Sequence, residues 1–371
     1  MKMNKLKVAI FGTFVLGFGA GAFFAIPASL PLIADSLRLD EQTATVQAIK
    51  KVSPSVVSID VYLPKSDSIL DLSTGQTKKA IGKDKVSSGT GFIISADGLI
   101  ITNKHVVDVN DDKNAEYKVT LQKGKQYYAQ LIGKDPINDL AILKIFDKNL
   151  PFVELGDSDK LSPGMSVVAI GNVLGIYQDS VTKGIVSGLN RDIVANNGSG
   201  KAENLGNVLQ TDAEINFGNS GGPLVDLNGK VIGLNVAMDS SGSSIGFAIP
   251  INDAKPVIKS AREVGRIIRP RLGIRYVSIN ETLAQDKKLG LSAGAWVDAG
   301  ESGEAAVAPG SPADKAGIKA GDIITEINGI KLDGTQSLIS ITQRKKPGDV
   351  ISLKIWRDGK LITKLVTLDS F

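Results

Sequence analysis

The chain has 371 residues, 42% of them hydrophobic, with 43 basic against 39 acidic side chains for a net charge of +4. That length holds two domains and a flank, and that apolar fraction excludes wholesale disorder. Absence of cysteine excludes disulfides and thiolate metal sites, a single histidine argues against a zinc hydrolase, and no basic stripe interleaved with aromatics points to nucleic acid.

Lys2, Lys5 and Lys7 precede an uncharged stretch from Val8 to Ala34. Its helical part, Val8 to Ile26 before Pro27, is long enough to cross a hydrocarbon core. Residues 1–34 are therefore read as an N-terminal transmembrane helix that anchors the chain. The positive-inside rule puts the lysines in the cytoplasm and everything after Asp35 outside. A cleaved signal segment, leaving a secreted or periplasmic protein, is the alternative. The favoured reading is the anchor, because the span exceeds the usual signal core and Phe24-Ala25-Ile26-Pro27-Ala28-Ser29 offers no clean Ala-x-Ala exit.

Residues 35–50 are polar and read as a linker or short helix, and residues 51–250 as a mostly β domain of short runs broken by turns. Val57–Val61 alternates. Gly91–Ser95 and Leu99–Thr102 flank Ala96-Asp97-Gly98, a hairpin signal, and Lys118–Leu121 with Tyr127–Ile132 make another pair. Strands follow at Leu140–Phe146, Ser166–Ile170, Val181–Leu189, Pro223–Val225 and Val231–Leu234. Many short strands at this spacing predict a barrel or sandwich. Polar, lysine-bearing Lys65–Ser88 reads as a long mobile loop.

Residues 251–270 read as a connecting helix, Ile251–Ile268, with Asn252 as its cap and Arg269-Pro270 as its stop. Residues 271–371 form a second, small unit. Its predicted strands are Gly273–Ser278, Ala295–Val297 and Asp322–Ile327. A helix at Ser337–Gln343 and two closing strands around Trp356-Arg357-Asp358-Gly359 complete it.

Three polar residues stand at edges of these β runs: His105 in Thr102-Asn103-Lys104-His105-Val106-Val107, Asp139 in Asn138-Asp139-Leu140-Ala141, and Ser220 in Gly218-Asn219-Ser220-Gly221-Gly222-Pro223-Leu224. A serine nucleophile needs a base titrating near neutrality, and this chain has one imidazole. The order His, Asp, Ser is one of several in which unrelated folds assemble a triad. Glycines around Ser220 let consecutive N–H groups of Gly218, Asn219 and Ser220 face one cavity, an oxyanion hole in which Gly218 and Ser220 are the preferred donors.

These three segments resemble the signature segments of the HtrA (Deg) serine proteases. Gly246-Phe247-Ala248-Ile249-Pro250 resembles that family's exit from the protease domain. Arg271-Leu272-Gly273-Ile274, Ser311-Pro312-Ala313-Asp314-Lys315-Ala316-Gly317-Ile318 and Ala320-Gly321-Asp322-Ile323-Ile324 resemble segments of its PDZ domain. The resemblance implies a mostly β fold: a trypsin-like double β-barrel followed by a small α+β PDZ domain, behind the membrane helix. It implies that Ser220 is the nucleophile, His105 the base and Asp139 its orienting carboxylate, with no cofactor. It implies a small apolar pocket bordered by Ile215, Val236 and Ala237, hence cleavage after residues such as Val or Ala. Leu272, Gly273 and Ile274 would take the carboxylate of C-terminal peptides. Polar, glycine-bearing Asn190–Asn204 reads as a loop, and it lies where the family has a loop that senses the PDZ domain. Unfolded extracytoplasmic proteins or a stress-signalling substrate would be cleaved, by a homotrimer. The competing reading is a chaperone or peptide-binding adaptor whose catalytic centre is poorly formed at rest.

Overall fold

A computed structural model describes residues 30–371, save 72, 74–75, 110–111, 174–176, 197–201, 217, 239–244, 301–302 and 335. The apolar span Val8–Ile26 lies outside the described residues. Among the described residues no helix is long and apolar enough to cross a membrane. Residues 35–50, read as a linker or short helix, belong to a 23-residue helix, α1 (Leu30–Val52). Its last turns are held by burial of Ala48 and Val52 and by Lys51, whose ammonium donates to the Asn228 carbonyl (3.2 Å) and pairs with Glu154 (3.1 Å).

The β alternation read at Val57–Val61 builds two cores at once. Six strands, β1 (Val56–Asp71), β2 (Gln76–Ile93), β3 (Leu99–Thr102), β4 (Glu116–Leu121), β5 (Gln126–Lys134) and β6 (Ala141–Lys144), close a barrel in the order β1-β2-β3-β6-β5-β4. Val57, Ile59, Ile93, Ile100, Val119 and Leu143 fill its interior. Their neighbours one residue along, Val56, Phe92, Ile101 and Ile142, face the other way. Period-two alternation makes that possible, since successive side chains leave a strand on opposite faces. A second group comprises β7 (Glu154–Leu155), β8 (Ser166–Val173), β9 (Tyr177–Asn196), β10 (Ala202–Thr211), β11 (Pro223–Asp226), β12 (Lys230–Met238) and β13 (Gly246–Pro250). Their order is β11-β8-β9-β10-β13-β12-β7, and β11 also pairs β12, so six of them close on themselves. Val167, Val186, Leu209 and Leu224 fill this second interior. Val168, Ile170, Val225 and Leu234 meet the outward face of the first barrel in one shared apolar seam.

Two expectations are corrected here. Lys65–Ser88 is not a loop: β1 and β2 run on as an antiparallel ribbon, paired from Val56↔Phe92 out to Asp71↔Gln76. Asn190–Asn204 is likewise mostly strand, with β9 and β10 still paired at Asn196↔Ala202. These polar segments carry no clear period-two apolar alternation, so their sequence reads as loop.

The connecting helix α3 (Ile251–Val264) buries Ile251, Ala254, Val257 and Ala261 against the seam. It ends short of Ile268 because Gly265 turns left-handed (φ 71°), its N–H donating to the Ala261 carbonyl (3.1 Å). Pro250, not Asn252, stands at the cap position; the Asn252 amide instead donates to Asp157 (2.7 Å). The C-terminal unit contains β14 (Pro270–Arg271), β15 (Tyr276–Ser278), α4 (Glu281–Asp286), β16 (Ala295–Val297), α5 (Pro312–Lys315), β17 (Ile323–Ile327), β18 (Ile330–Lys331), α6 (Leu338–Thr342), β19 (Val350–Arg357), β20 (Lys360–Thr367) and β21 (Asp369–Ser370). Its main sheet runs β15-β16-β17-β19-β20. The strand read at Gly273–Ser278 is regular only over Tyr276–Ser278, preceded by a single bridge from Ile274 to Val307.

Residues 43–371 form one compact unit, and Arg269 ties its parts together. Its guanidinium and the Asp135 carboxylate are both fully buried and meet at 2.5 Å. Arg269 also donates to the main-chain carbonyls of Gln343 (3.0 Å) and Asp253 (3.1 Å), so one side chain touches the first barrel, α3 and the C-terminal unit. Arg344 adds an ion pair to the buried Asp253 (2.7 Å) and a second to Asp159 (2.8 Å). Burial pushes the Asp253 carboxyl above its ordinary range, against the pull of Arg344 and Asn207. Removing one partner of a buried pair leaves a charge without compensation. Arg269→Met is expected to cost about 3–5 kcal/mol in urea unfolding, and the double variant with Asp135→Leu distinctly less. Equal losses in the two would contradict the assignment.

Candidate active site

His105 sits in the one-turn helix α2 (Lys104–Val107), held down by the buried Val106 and Val107. Gly89 makes room for this: a Cβ there would lie 2.6 Å from a Val106 methyl. Asp139 lies in the turn between β5 and β6, 1% exposed, directly before the buried Leu140 and Ala141. Its carboxylate grips His105 twice, accepting from the main-chain N–H at 2.8 Å and contacting ring Nδ1 at 2.6 Å. An ionised carboxylate only accepts, so Nδ1 carries the proton and Nε2 is left as the acceptor. That is the tautomer a general base needs. Asn103 secures the same turn, its amide donating to the Asp139 carbonyl (2.9 Å).

Ser220 comes from the other barrel, in the turn Gly218–Gly222 that opens β11. Two hydrogen bonds to its main-chain carbonyls seat this turn on the first barrel. The Thr90 N–H donates to the Ser220 carbonyl (3.0 Å), and the Thr90 hydroxyl to the Gly218 carbonyl (2.5 Å). Gly221 lies flush against the strand bearing Thr102: a Cβ there would overlap the Thr90 carbonyl and approach Thr102 Oγ1 to 2.5 Å, with the Asn103 nitrogen at 3.2 Å. The serine turn thus abuts the residues that immediately precede His105. On the far side, the Gly221 N–H donates to Asn235 (2.8 Å) and the Asn235 N–H to Gly222 (2.9 Å). No hydrogen bond of the Ser220 hydroxyl is formed among the described residues. Contacts between nucleophile and base commonly tighten only when substrate binds.

The three oxyanion candidates separate in the structure. The Asn219 N–H donates to the Asn216 carbonyl (3.1 Å), so it is spent on the turn itself. The Asn219 side chain is spent too, accepting from Asn216 N (2.9 Å) and donating to the Glu214 carbonyl (3.0 Å). Gly218 and Ser220 keep main-chain N–H groups that bond no carbonyl among the described residues. Gly218 is left-handed (φ 109°), a conformation that favours glycine.

Ile215 and Val236 are 2% and 4% exposed, and Ile215 packs into the second barrel's core with Leu209, Leu224 and Ile232. The backbone of Ala237 continues β12 opposite Phe247. Gly246, not singled out in the sequence, faces Ile215: a Cβ there would lie 2.5 Å from its Cγ1. Thr90, Thr102 and Asn235 were missed as well, because only the fold brings them to Ser220. In the C-terminal unit, Gly273 is left-handed (φ 83°) and lies against Ser311 with no space for a side chain. Carbonyls of Leu272 and Gly273 accept from Ala313 (3.0 Å) and Ala308 (2.9 Å), which fixes this loop beside the free edge of β15. Asp192 of β9 reaches that edge, accepting from the Ser278 hydroxyl (3.2 Å) and the Asn207 N–H (3.1 Å).

Paired barrels with a carboxylate–imidazole pair on one and a glycine-framed serine on the other define a trypsin-like peptidase, followed here by a PDZ-type unit. Models of the two domain families match accordingly: a trypsin-like peptidase domain over residues 89–234 and a PDZ domain over 305–357. The chain is 37% identical over 345 residues to a serine protease Do-like HtrA of Bacillus subtilis, covering 90% of this chain and 74% of that one. It is 41% identical over 287 residues to a probable periplasmic serine endoprotease DegP-like of Marinomonas, covering 76% of this chain and 57% of that relative. A solved structure of the HtrA-type protease AlgW with a decapeptide superposes with a TM-score of 0.66 at 33% identity, covering 88% of this chain and 98% of that one. The chain belongs to the HtrA family of serine proteases. It spans somewhat over half the length of the DegP-like relatives it matches.

Gly221 is the sharpest point of the arrangement. Gly221→Ala adds one methyl where the first barrel leaves no space, and an ångström of displacement at a reacting centre costs on the order of 100-fold in rate. The labelling rate of Ser220 by a fluorophosphonate is expected to fall by about that factor, with the circular dichroism spectrum unchanged. Labelling at the unmodified rate would refute the contact.

Proposed function

We propose that the protein is a serine endopeptidase that cleaves unfolded or misfolded extracytoplasmic proteins, or a stress-signalling substrate. The observation that carries this is the double grip of Asp139 on His105, at 2.6 and 2.8 Å, beside a serine turn seated on the same barrel. The Ser220 hydroxyl attacks the scissile carbonyl while His105 Nε2 takes its proton. The resulting oxyanion is held by the N–H groups of Gly218 and Ser220, each such donor lowering the barrier by roughly 3 kcal/mol. Collapse of the intermediate expels the amine, which receives the proton from His105. Water then hydrolyses the serine ester by the same route in reverse, and Asp139 stabilises the imidazolium throughout.

The apolar character of Ile215 and Val236, with Gly246 against Ile215, supports a small apolar pocket, and therefore cuts after Val, Ala or similar residues. In the PDZ domain, a peptide would add as a strand along β15 and place its carboxylate at Leu272, Gly273 and Ile274. The hydrogen bond from Ser278 to Asp192 supports a link from that groove to β9, the segment the family uses to sense its PDZ domain. The N-terminal anchor rests on the length and charge flanks of Val8–Ile26, with the periplasmic relatives favouring an extracytoplasmic site for the domains. Homotrimer assembly rests on resemblance to the family alone.

Casein is expected to be degraded by the purified protein and not by Ser220→Ala. Mass spectrometry of the products should place most cuts after Val or Ala. Asp139→Asn should lower kcat by about 10⁴, as expected when the imidazole takes the wrong tautomer. Turnover surviving Ser220→Ala, or dominant cleavage after Lys, contradicts this reading.

A further inference from the structure

The turn that carries Asp139 is not held by its own barrel alone. The Asn138 amide, next to Asp139 in the chain, donates to Gln343 Oε1 across 2.6 Å. Gln343 follows α6, the helix of the PDZ domain, and is 1% exposed, as Asn138 is 5% exposed. The Asn138 carbonyl in turn accepts from the Leu140 N–H (2.8 Å), so the contact brackets Asp139 on its N-terminal side. The position of Gln343 is itself fixed, because its carbonyl accepts from Arg269 (3.0 Å) and its N–H donates to the Ile339 carbonyl (2.9 Å).

A second observation separates this contact from ordinary packing. The Gln343 side-chain NH₂ is buried and has no hydrogen-bond partner among the described residues. A buried donor left unpaired is costly, and an apolar residue of similar shape would avoid that cost. A glutamine here weakens the fold unless its oxygen is needed. Among the described residues, the one side-chain group that oxygen serves is the amide beside Asp139.

We infer that Gln343 is a positioning residue: through Asn138 it holds the Asp139 turn in the register that aligns the carboxylate with His105. The PDZ domain then supplies part of the catalytic scaffold, and α6, which contacts the Tyr276 hydroxyl of β15 through the Ile339 N–H (3.3 Å), joins the edge of the peptide groove to that scaffold. The inference rests on the reading of Asp139 as the orienting carboxylate.

The single histidine makes the test unambiguous. In the full protein labelled with ¹⁵N-histidine, the Nδ1–H bonded to Asp139 gives one downfield proton resonance. Gln343→Leu keeps the volume and removes the polar atoms. It is expected to broaden or shift that resonance upfield, to lower the phosphonylation rate of Ser220 by about tenfold or more, and to lower kcat on a peptide substrate without changing KM. Its melting temperature should be unchanged or raised. Asn138→Ala should lower the rate similarly, and the double variant should be no slower than the slower single one. A resonance and rate equal to or above the unsubstituted protein's, a rate loss that only tracks the melting temperature, or effects that multiply in the double variant would overturn the inference. Labelling that persists in Ser220→Ala would instead overturn the serine protease reading itself.

Discussion

The serine turn lies flush against the first barrel because Gly221 has no side chain. The two barrels meet along an apolar seam in which Phe92, Ile101 and Ile142 of one face Val168, Ile170 and Leu234 of the other. Hydrophobic contact of that kind is strong but not directional. Direction comes at the seam's rim, where Thr90 bonds the carbonyls on both sides of Asn219 and Gly221 lies against Thr90 and Thr102. Burial sets how firmly the barrels hold together. The backbone contact sets where the hydroxyl stands.

A second constraint acts on the imidazole side. Asp139, Asp135 and Asn138 occupy one six-residue turn, and each is nearly or fully buried. Polar groups so placed must be paired, and each is paired to a different part of the chain: His105, Arg269 and Gln343. The turn therefore cannot shift without breaking bonds to the first barrel's own helix, to the interdomain connector and to the PDZ domain together. The PDZ domain is thus bonded to the turn that carries Asp139, besides the contact of Asp192 with Ser278. Two routes thus join the domains, one through β9 toward the serine barrel and one through α6 toward the carboxylate.

Much of this was legible in the sequence, for physical reasons. The three triad segments sit at strand ends, where short apolar runs and turn residues mark position plainly. The PDZ elements were legible too: Ala295–Val297 was read to the residue, and α6 to within one residue at either end. Failures occurred where pattern and structure part company. The β1–β2 ribbon and the far ends of β9 and β10 are paired strands whose sequence carries no clear apolar alternation. The helices α4 and α5 are too short to show a period. Asn138 and Gln343 stand 205 positions apart, and no local signal joins them. Asn219 was read as an oxyanion donor from composition alone, whereas its N–H closes the turn onto Asn216.

The most direct measurement is a crystal structure of the protein after reaction with a fluorophosphonate, whose tetrahedral phosphorus stands in for the attacked carbonyl carbon. The account predicts one adduct, on Ser220 Oγ, with the phosphonyl oxygen between the N–H groups of Gly218 and Ser220. It predicts His105 Nε2 within hydrogen-bond reach of the adduct and the Asp139 contact to Nδ1 intact. An adduct on another hydroxyl, or one on Ser220 with the imidazole turned away from it, would contradict it.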